Sequence, residues 1–269
     1  MAHAVEERYI TEWESQVALG HQPRLLAFNK FGQNPVINTT PEELWPLGGE
    51  HTWLSTGTTL KISCSDNVNG QGQIMRVSGT NGSWNLASVD VALTGTTPVQ
   101  IGDALDWTVI HTVHQVSAAP GPVGDVYVSV DGAVMTTPGV PDDVADVQAY
   151  VDPAVGSAQQ IWGMVPADYS VLLYDYACEI ETSGGTARTA EVTLEVSPLA
   201  KGATVENPSW APWHALHDIT LATQASVHDG ATFRFPFHYE EMTRVRLTAY
   251  ATSNSIVGGH LTALLVPHG

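Results

Sequence analysis

Short stretches in which apolar and polar residues alternate dominate the chain from about residue 58 onward. The segment TTLKISCSD (58–66) places Leu60, Ile62 and Cys64 on one face of an extended chain, and segments 73–81 and 83–93 repeat the pattern. Turn-forming Gly, Asn, Asp and Pro residues interrupt the alternation about every 8–12 residues, which is typical of sandwiches and barrels. We therefore predict a mostly-β protein with two antiparallel β-sandwich or jelly-roll-like domains.

Residues 132–160 are richer in Pro, Asp and Gly than their surroundings and indicate a connecting segment with a loop. This connection divides the chain into a first β-domain, residues 28–150, and a second β-sandwich domain, residues 151–269. Residues 1–27 precede both and are predicted to form an N-terminal arm.

The region before the first long strand carries two helix-like signals. Val5, Ile10, Trp13 and Val17 have rough helical spacing, which predicts a short helix or arm that ends at His21-Gln22-Pro23. The segment Thr40–Trp45 (TPEELW) predicts a capped helical turn, because Thr40 can cap and Pro41 suits the first helical position.

The charge balance excludes one class of partner. The chain has 10 Lys and Arg residues against 28 Asp and Glu residues, a formal net charge of −18. Binding to nucleic acid requires a dense cationic face for the phosphates, so we expect no nucleic-acid partner. Only 14% of residues are charged, which predicts a surface of uncharged polar side chains.

The sequence also predicts the compartment in which the chain is made. No apolar run approaches the roughly 18 residues of a membrane span, so no membrane association is expected. The acidic N-terminal segment lacks the apolar region of a signal peptide, so we expect synthesis and retention in a cytoplasm. Cys64 and Cys178 both lie in alternating apolar stretches, which favours two buried thiols over a disulfide.

No motif in the sequence carries catalytic chemistry. We find no G-x-S-x-G element, no activated Cys-His pair and no phosphate-binding glycine loop, so we expect neither catalytic residues nor a cofactor. His111 and His114 would point to opposite faces of a strand. His214 and His217 would meet on a helical turn, but no third ligand is evident, and we predict no metal site there.

Two polar segments have a weak calcium-loop character. Asp66, Asn67 and Asn69 lie in SDNVNGQG, which lacks the terminal glutamate of the calcium-binding pattern and is better explained as a polar hairpin loop. Asp142, Asp143 and Asp146 cluster in VPDDVAD, where a solvated acidic loop is the preferred interpretation over bound Ca²⁺.

Several segments, taken in order, resemble a family of structural proteins from the virions of tailed phages, frequent in marine phages. The first half contributes FNKFGQNPVI, ELWPLGGEHTW, RVSGTNGSW and VALTGTTPVQI. The second contributes MVPADYSVLLYDYACEIE, ARTAEVTLEVSPLA, FRFPFHYEEMTRVRLTA and VGGHLTALLV. The resemblance covers roughly residues 28–269, although segment 205–218 is more aromatic than the family pattern.

The resemblance implies a structural component of a tailed-phage particle that is assembled in the host cytoplasm. The preferred function is a capsid decoration or cement protein that binds the major capsid protein or other virion subunits and copies of itself. Capsid geometry suggests a trimer. The alternative is a tail or fibre subunit that recognises a glycan on the host surface.

Five aromatic residues are the candidate contacts with other subunits or the shell. Phe28 and Phe31 bracket the Phe28–Ile37 corner (FNKFGQNPVI), where the chain would pass from the arm into the first β-domain. Trp13 lies in the arm, which could latch onto a neighbouring subunit. Trp210 and Trp213 lie in the Pro-bracketed loop NPSWAPWHALH, which could bind a neighbouring subunit or a sugar, or fold back onto its own sheet.

Overall fold

The computed structural model of the chain describes residues 25–67, 71–103, 105–116, 124–181, 188–223 and 227–268. The strands are β1 Leu26–Ala27, β2 Lys30–Ile37, β3 Glu42–Glu43, β4 Leu60–Cys64, β5 Gln71–Asn81, β6 Leu86–Thr94, β7 Val99–Gln100, β8 Trp107–Gln115, β9 Val126–Val130, β10 Val147–Val151, β11 Trp162–Met164, β12 Tyr169–Glu181, β13 Arg188–Ser197, β14 His214–Thr223, β15 Val227–Tyr239, β16 Arg244–Ala251 and β17 Ser255–Pro267. A single 3₁₀ turn, Val144–Asp146, is the one helical element within these ranges.

The strands form four antiparallel sheets, which confirms the predicted mostly-β fold class. Sheet I has the order β1-β17-β12-β15, with β2 also paired to β17, and sheet II has the order β11-β16-β13-β14, with β3 paired to β16. Sheet III is β10-β9-β4-β7 and sheet IV is β6-β5-β8. The parts of the chain that the structure describes contain no helix long and apolar enough to cross a membrane.

Each pair of sheets encloses a core that follows from the alternation in the sequence. In β13, for example, Val192, Leu194 and Val196 are buried while the residues between them are partly exposed. The core between sheets I and II also contains Phe28, while Ile62 lies in the second core, between sheets III and IV. Cys64 and Cys178 are buried free thiols, one in each core, as predicted.

The first three strands join the second half of the chain. β1 and β2 pair with β17, and β3 pairs with β16, so residues 26–43 complete sheets I and II. Ile37 and Leu44, which are fully buried, contribute to the core between sheets I and II.

The predicted helical turn at Thr40–Trp45 is wrong. Glu42 and Glu43 form a short strand opposite Ala249 and Thr248 of β16. The buried Glu43 carboxylate lies 3.1 Å from the Arg246 guanidinium of the same sheet, and this pairing holds the segment extended.

The Phe28–Ile37 corner has a specific packing role. A Cβ atom on Gly32 would lie 2.4 Å from the carbonyl oxygen of Leu44, so only glycine allows this close approach. Asn34 is buried and donates from its side-chain amide to the Glu43 carbonyl at 3.2 Å. The corner therefore fixes β2 of sheet I against β3 of sheet II.

A third apolar cluster joins the two sandwiches. It contains Trp45, Trp84 and Trp162, all buried, together with Met164 and Met242. The Trp45 and Trp162 rings meet edge to face with centroids 5.0 Å apart. Two loop residues described below, Trp53 and Trp210, pack against this cluster.

Candidate contact surface

The outer face of sheet I carries an open groove of about 340 Å³, which we call the Phe31 groove. Its lining includes Phe31 and Gln33 of β2, Ala177 and Glu179 of β12, and Gly258 and His260 of β17. The strand register explains the concave shape. Gly258 lies opposite Glu179, and the small Ala177 lies opposite His260, so each of these two cross-strand pairs has only one large side chain.

Phe31 forms a wall of the groove and is 46% exposed. It projects outward because its neighbours Lys30 and Gly32 face the interior of the subunit. The alternation along β2 is therefore inverted, with a charged residue inside and an aromatic residue outside. A single exposed aromatic ring beside a concave surface is typical of a binding contact.

A second depression of about 220 Å³ continues along the same face. Pro35 and Val36 of β2, Glu181 of β12, Arg188 and Ile256 line it. Val36 is 51% exposed. The Arg188 Nε atom is shielded from solvent and has no hydrogen-bond partner within the described residues. The two depressions together give an elongated face on which the exposed Phe31 and Val36 side chains lie among polar and ionisable groups.

Carboxylates and imidazoles make up most of the ionisable rim of the Phe31 groove. Glu179 and His228 lie opposite each other on β12 and β15. His260 Nε2 lies 3.9 Å from Asp175 Oδ1, and both side chains contact solvent. This arrangement can bind a complementary surface.

Trp210 and Trp213 fold back against the chain that carries them, in a stack that we call the aromatic–arginine ladder. Its members, in spatial order, are Trp84, Trp210, Arg244, Trp53, Trp213 and Arg246. The Arg244 guanidinium lies 3.5 Å from the Trp210 ring centroid, and that of Arg246 lies 4.1 Å from the Trp213 centroid. Trp210 also donates from Nε1 to the Met242 carbonyl at 2.8 Å.

The ladder holds the loop around residues 205–213 against β16. Both indole rings are half-buried, and their faces are occupied by guanidinium groups of β16. Of the alternatives for this loop, the fold-back onto its own sheet is the arrangement in the structure. Sequence reasoning missed Arg244 and Arg246, although two arginines in a chain with only 10 basic residues were an available signal.

Arg246 also pairs with three carboxylates, of which Glu43 is buried and Glu50 is exposed. Its side chain is 9% exposed and lies within 3.1 Å of Glu43, Glu50 and Glu195. Glu43 has no solvent exposure, and burial raises its pKa to about 7, against the opposing effects of the His51 backbone N–H and Arg246. The cluster ties β3 and the loop after it to sheet II.

The structure corrects the contact prediction for Phe28. This ring is 5% exposed and packs edge to face against His111 with a centroid separation of 5.2 Å, so it lies inside the folded chain. Trp13 lies outside the described residues. Phe31 is therefore the candidate contact residue that the structure places on an open surface.

Lys30 is the buried neighbour of Phe31, and it predicts a pH dependence of stability. Its ammonium donates to the His111 carbonyl, and burial lowers its pKa from 10.5 to about 7. Between these values the unfolded chain binds more protons than the folded chain, so stability rises with pH. We expect the free energy of unfolding to gain about 2 kcal/mol from this group between pH 7 and pH 9.

Urea unfolding of the wild type and the K30M variant at both pH values measures this gain. Because other titrating groups are common to both proteins, the difference between their pH slopes isolates Lys30. Parallel slopes would show that Lys30 keeps an ordinary pKa in the folded protein.

The polar candidates for metal binding do not form a site within the described residues, where no group of three or more His, Cys, Asp or Glu side chains is arranged to hold an ion. His214 and His217 lie on strand β14, so the helical turn that would have brought them together is absent, and His217 Nδ1 instead lies 2.9 Å from the Tyr176 hydroxyl. Asp142 accepts from Thr136, and Asp143 caps the 3₁₀ turn. Asn69 lies outside the described residues.

Comparison with known proteins gives no family. No protein-family model and no curated protein matches the chain. Among solved structures, the chain is similar to the VP2 subviral particle of infectious bursal disease virus, with 12% identity, a TM-score of 0.24, and coverage of 91% of this chain and 72% of that chain. A structure of the Gx strain of that virus gives 9% identity, a TM-score of 0.22, and coverage of 91% and 71%.

A tryptic core variant of Cry1Da from Bacillus thuringiensis is similar at 10% identity and a TM-score of 0.18, over 80% of this chain and 53% of that chain. Similarities at these TM-scores carry no argument about function.

Proposed function

We propose that this protein is a non-enzymatic structural subunit of a tailed-phage particle that decorates or cements the capsid exterior. In this function it binds the major capsid protein or another virion subunit, and copies of itself, by burying complementary surface. The observation that carries the proposal is the Phe31 groove with its continuation at Val36, a concave face beside an exposed aromatic ring. Most other aromatic side chains in the described ranges are buried or half-buried.

Three further features support the proposal. The ordered segments that resemble phage virion proteins span both sandwiches. The net charge of −18 opposes contact with the genome and favours the outer side of a shell. The low content of charged residues suits extensive, wet, polar contacts between subunits.

Quantitative mass spectrometry of purified particles tests the proposal directly. A decoration protein should occur in a simple ratio to the major capsid protein, because it follows the symmetry of the shell. A copy number about a hundredfold lower would place the chain in the tail, since tails carry few copies of each subunit. Absence from the particles would overturn the proposed function.

Replacing Phe31 with serine is expected to reduce occupancy on particles by about tenfold, because an exposed aromatic ring at the centre of a contact contributes most of its energy. The folded subunit should remain stable, since Phe31 is 46% exposed. The matched control is V134S, because Val134 is 63% exposed and does not line the Phe31 groove or its continuation. Equal occupancy of F31S and V134S would exclude the groove as the contact.

A further inference from the structure

We propose that the contact between the two sandwiches is sensitive to acid. As the pH falls, Lys30 and His111 take up protons, and the sandwich of sheets III and IV separates from that of sheets I and II before either core unfolds. This response is independent of the proposed function, because it needs no partner.

Lys30 and His111 lie on opposite sides of the contact. Lys30 belongs to β2 of sheet I and His111 to β8 of sheet IV. The Lys30 ammonium donates to the His111 carbonyl at 2.6 Å, and the Phe28 ring packs edge to face against the His111 imidazole. The Met164 backbone nitrogen, in sheet II, lies 3.5 Å from His111 Nε2. Lys30 is 4% exposed and His111 is 7% exposed, so the joined sandwiches shield both bases from solvent.

No acidic group compensates these two bases. Neither side chain pairs with an Asp or Glu carboxylate within the part of the chain that the structure describes. The charged side chain that acts on His111 is Lys30, which has the same sign. Ionisable side chains on β5 and β10, which pack against β8, are engaged elsewhere: Arg76 with Asp90, and Tyr150 with Asp125.

Both bases are therefore held in their neutral forms. Burial lowers the pKa of Lys30 from 10.5 to about 7. Burial, and after it the charge of Lys30, lowers the pKa of His111 well below its ordinary value of 6.5. Separation of the sandwiches exposes both groups to water and restores their ordinary pKa values.

The sign of the response follows from proton uptake. The open form binds more protons than the closed form, between pH 10.5 and pH 7 at Lys30 and below pH 6.5 at His111, so acid favours opening in both ranges. From pH 9 to pH 7, Lys30 should raise the equilibrium constant for opening about fiftyfold. From pH 6.5 to pH 4.5, His111 should raise it by about the same factor.

The path of the chain allows the sandwiches to separate. Sheets III and IV lie within residues 60–151, and segments 44–59 and 152–161, which connect them to the other sandwich, contain isolated bridges but no strand. Each sandwich has its own core. His51 is a third buried base near the contact. Its ring neighbours belong to sheet II and to the loop after β3, so it stays covered when the sandwiches part: Trp45, Trp53 and Trp162.

Hydrogen exchange of the full-length chain, followed by mass spectrometry from pH 9 to pH 4.5 and corrected for intrinsic exchange rates, tests this response. The Ala167 amide reports on the contact, because it donates to the Trp84 carbonyl of the other sandwich at 2.9 Å. Val192 in β13 and Ile62 in β4 report on the two cores. We expect the protection of Ala167 to fall in two steps of about fiftyfold each. The core amides should stay at least about tenfold more protected than Ala167 at every pH, because their exchange also requires a core to unfold.

Two variants assign the steps to their residues. K30M should reduce the step between pH 9 and pH 7 to less than about threefold, and H111Q should do the same to the step between pH 6.5 and pH 4.5. The control is H238Q, because the His238 side chain is 52% exposed, and this variant should keep both steps. Since the variants act on different steps, loss of folding in one leaves the other step testable.

Two results would overturn the inference. Steps of unchanged size in K30M and H111Q would show that other groups take up the protons. Equal protection of Ala167 and the core amides would show that the sandwiches part only when the whole chain unfolds.

Discussion

Replacing Arg246 with methionine is expected to lower the free energy of unfolding by about 3–5 kcal/mol at pH 8. The guanidinium lies 3.1 Å from the Glu43 carboxylate, which has no solvent exposure, and 2.8 Å from Glu195. Methionine retains much of the apolar stem but leaves Glu43 as a buried charge without a counter-ion. Denaturant unfolding followed by circular dichroism measures the loss.

The exposed ion pair between Arg76 and Asp90 supplies the control. Its atoms are 2.7 Å apart, but its side chains are 46% and 44% exposed, so R76M should cost less than about 1 kcal/mol. An R246M variant no less stable than R76M would show that the buried Arg246–Glu43 pair contributes little to the free energy of unfolding.

The pH dependence of the R246M deficit adds a second test. The pKa of Glu43 is already raised to about 7 by burial, and Arg246 opposes that rise. Without Arg246, Glu43 should take up a proton at higher pH, and the neutral carboxyl is the cheaper group to bury. We therefore expect R246M to lower the free energy of unfolding by clearly less at pH 5 than at pH 8.

Replacing Gly139 with alanine is expected to cost about 3 kcal/mol or more. Gly139 has φ +78°, and a Cβ atom there would lie 2.1 Å from the Cys64 carbonyl oxygen. The Gly139 carbonyl also accepts from the Ser63 hydroxyl at 2.9 Å, so the loop cannot simply move away from β4.

Gly132 lies seven residues earlier and provides the matched substitution. A Cβ atom there meets nothing within 4 Å, so G132A should change stability by no more than about 0.5 kcal/mol. Thermal and urea unfolding of both variants check this difference. Similar stabilities for the two variants would contradict the close packing of the loop on β4.

The local elements of the fold could be predicted from the sequence because period-two alternation is a local property. The predicted strands at 58–66, 73–81 and 83–93 correspond to β4, β5 and β6 at 60–64, 71–81 and 86–94. The pairing of β3 with β16 could not be predicted, since the two strands are about two hundred residues apart and nothing in TPEELW marks its partner. For the same reason, the helical signal of Thr40–Trp45 was outweighed by tertiary pairing.

The orientation of β2, which exposes Phe31, could not be predicted from the sequence for a different reason. Hydrophobic patterning would place Phe31 inside and Lys30 outside, but the structure has the reverse. The core around Phe28 and the need for glycine at position 32 fix the orientation of β2, and neither is visible in the alternation. A local conflict with the binary pattern is expected at functional sites, which is a reason to examine Phe31 first.

The pairing of the first strands with the last has a consequence during synthesis. Sheets III and IV lie within residues 60–151, so this sandwich can close while the rest of the chain is still being made. β1, β2 and β3 must wait for β16 and β17, and until then their apolar residues Ile37 and Leu44 lack a core. Unpaired strands of this kind are sites of aggregation and of exchange between chains. The slow, long-range step of folding thus falls on the same strand that carries Phe31, so the Phe31 groove takes its final shape only after the last strands have paired.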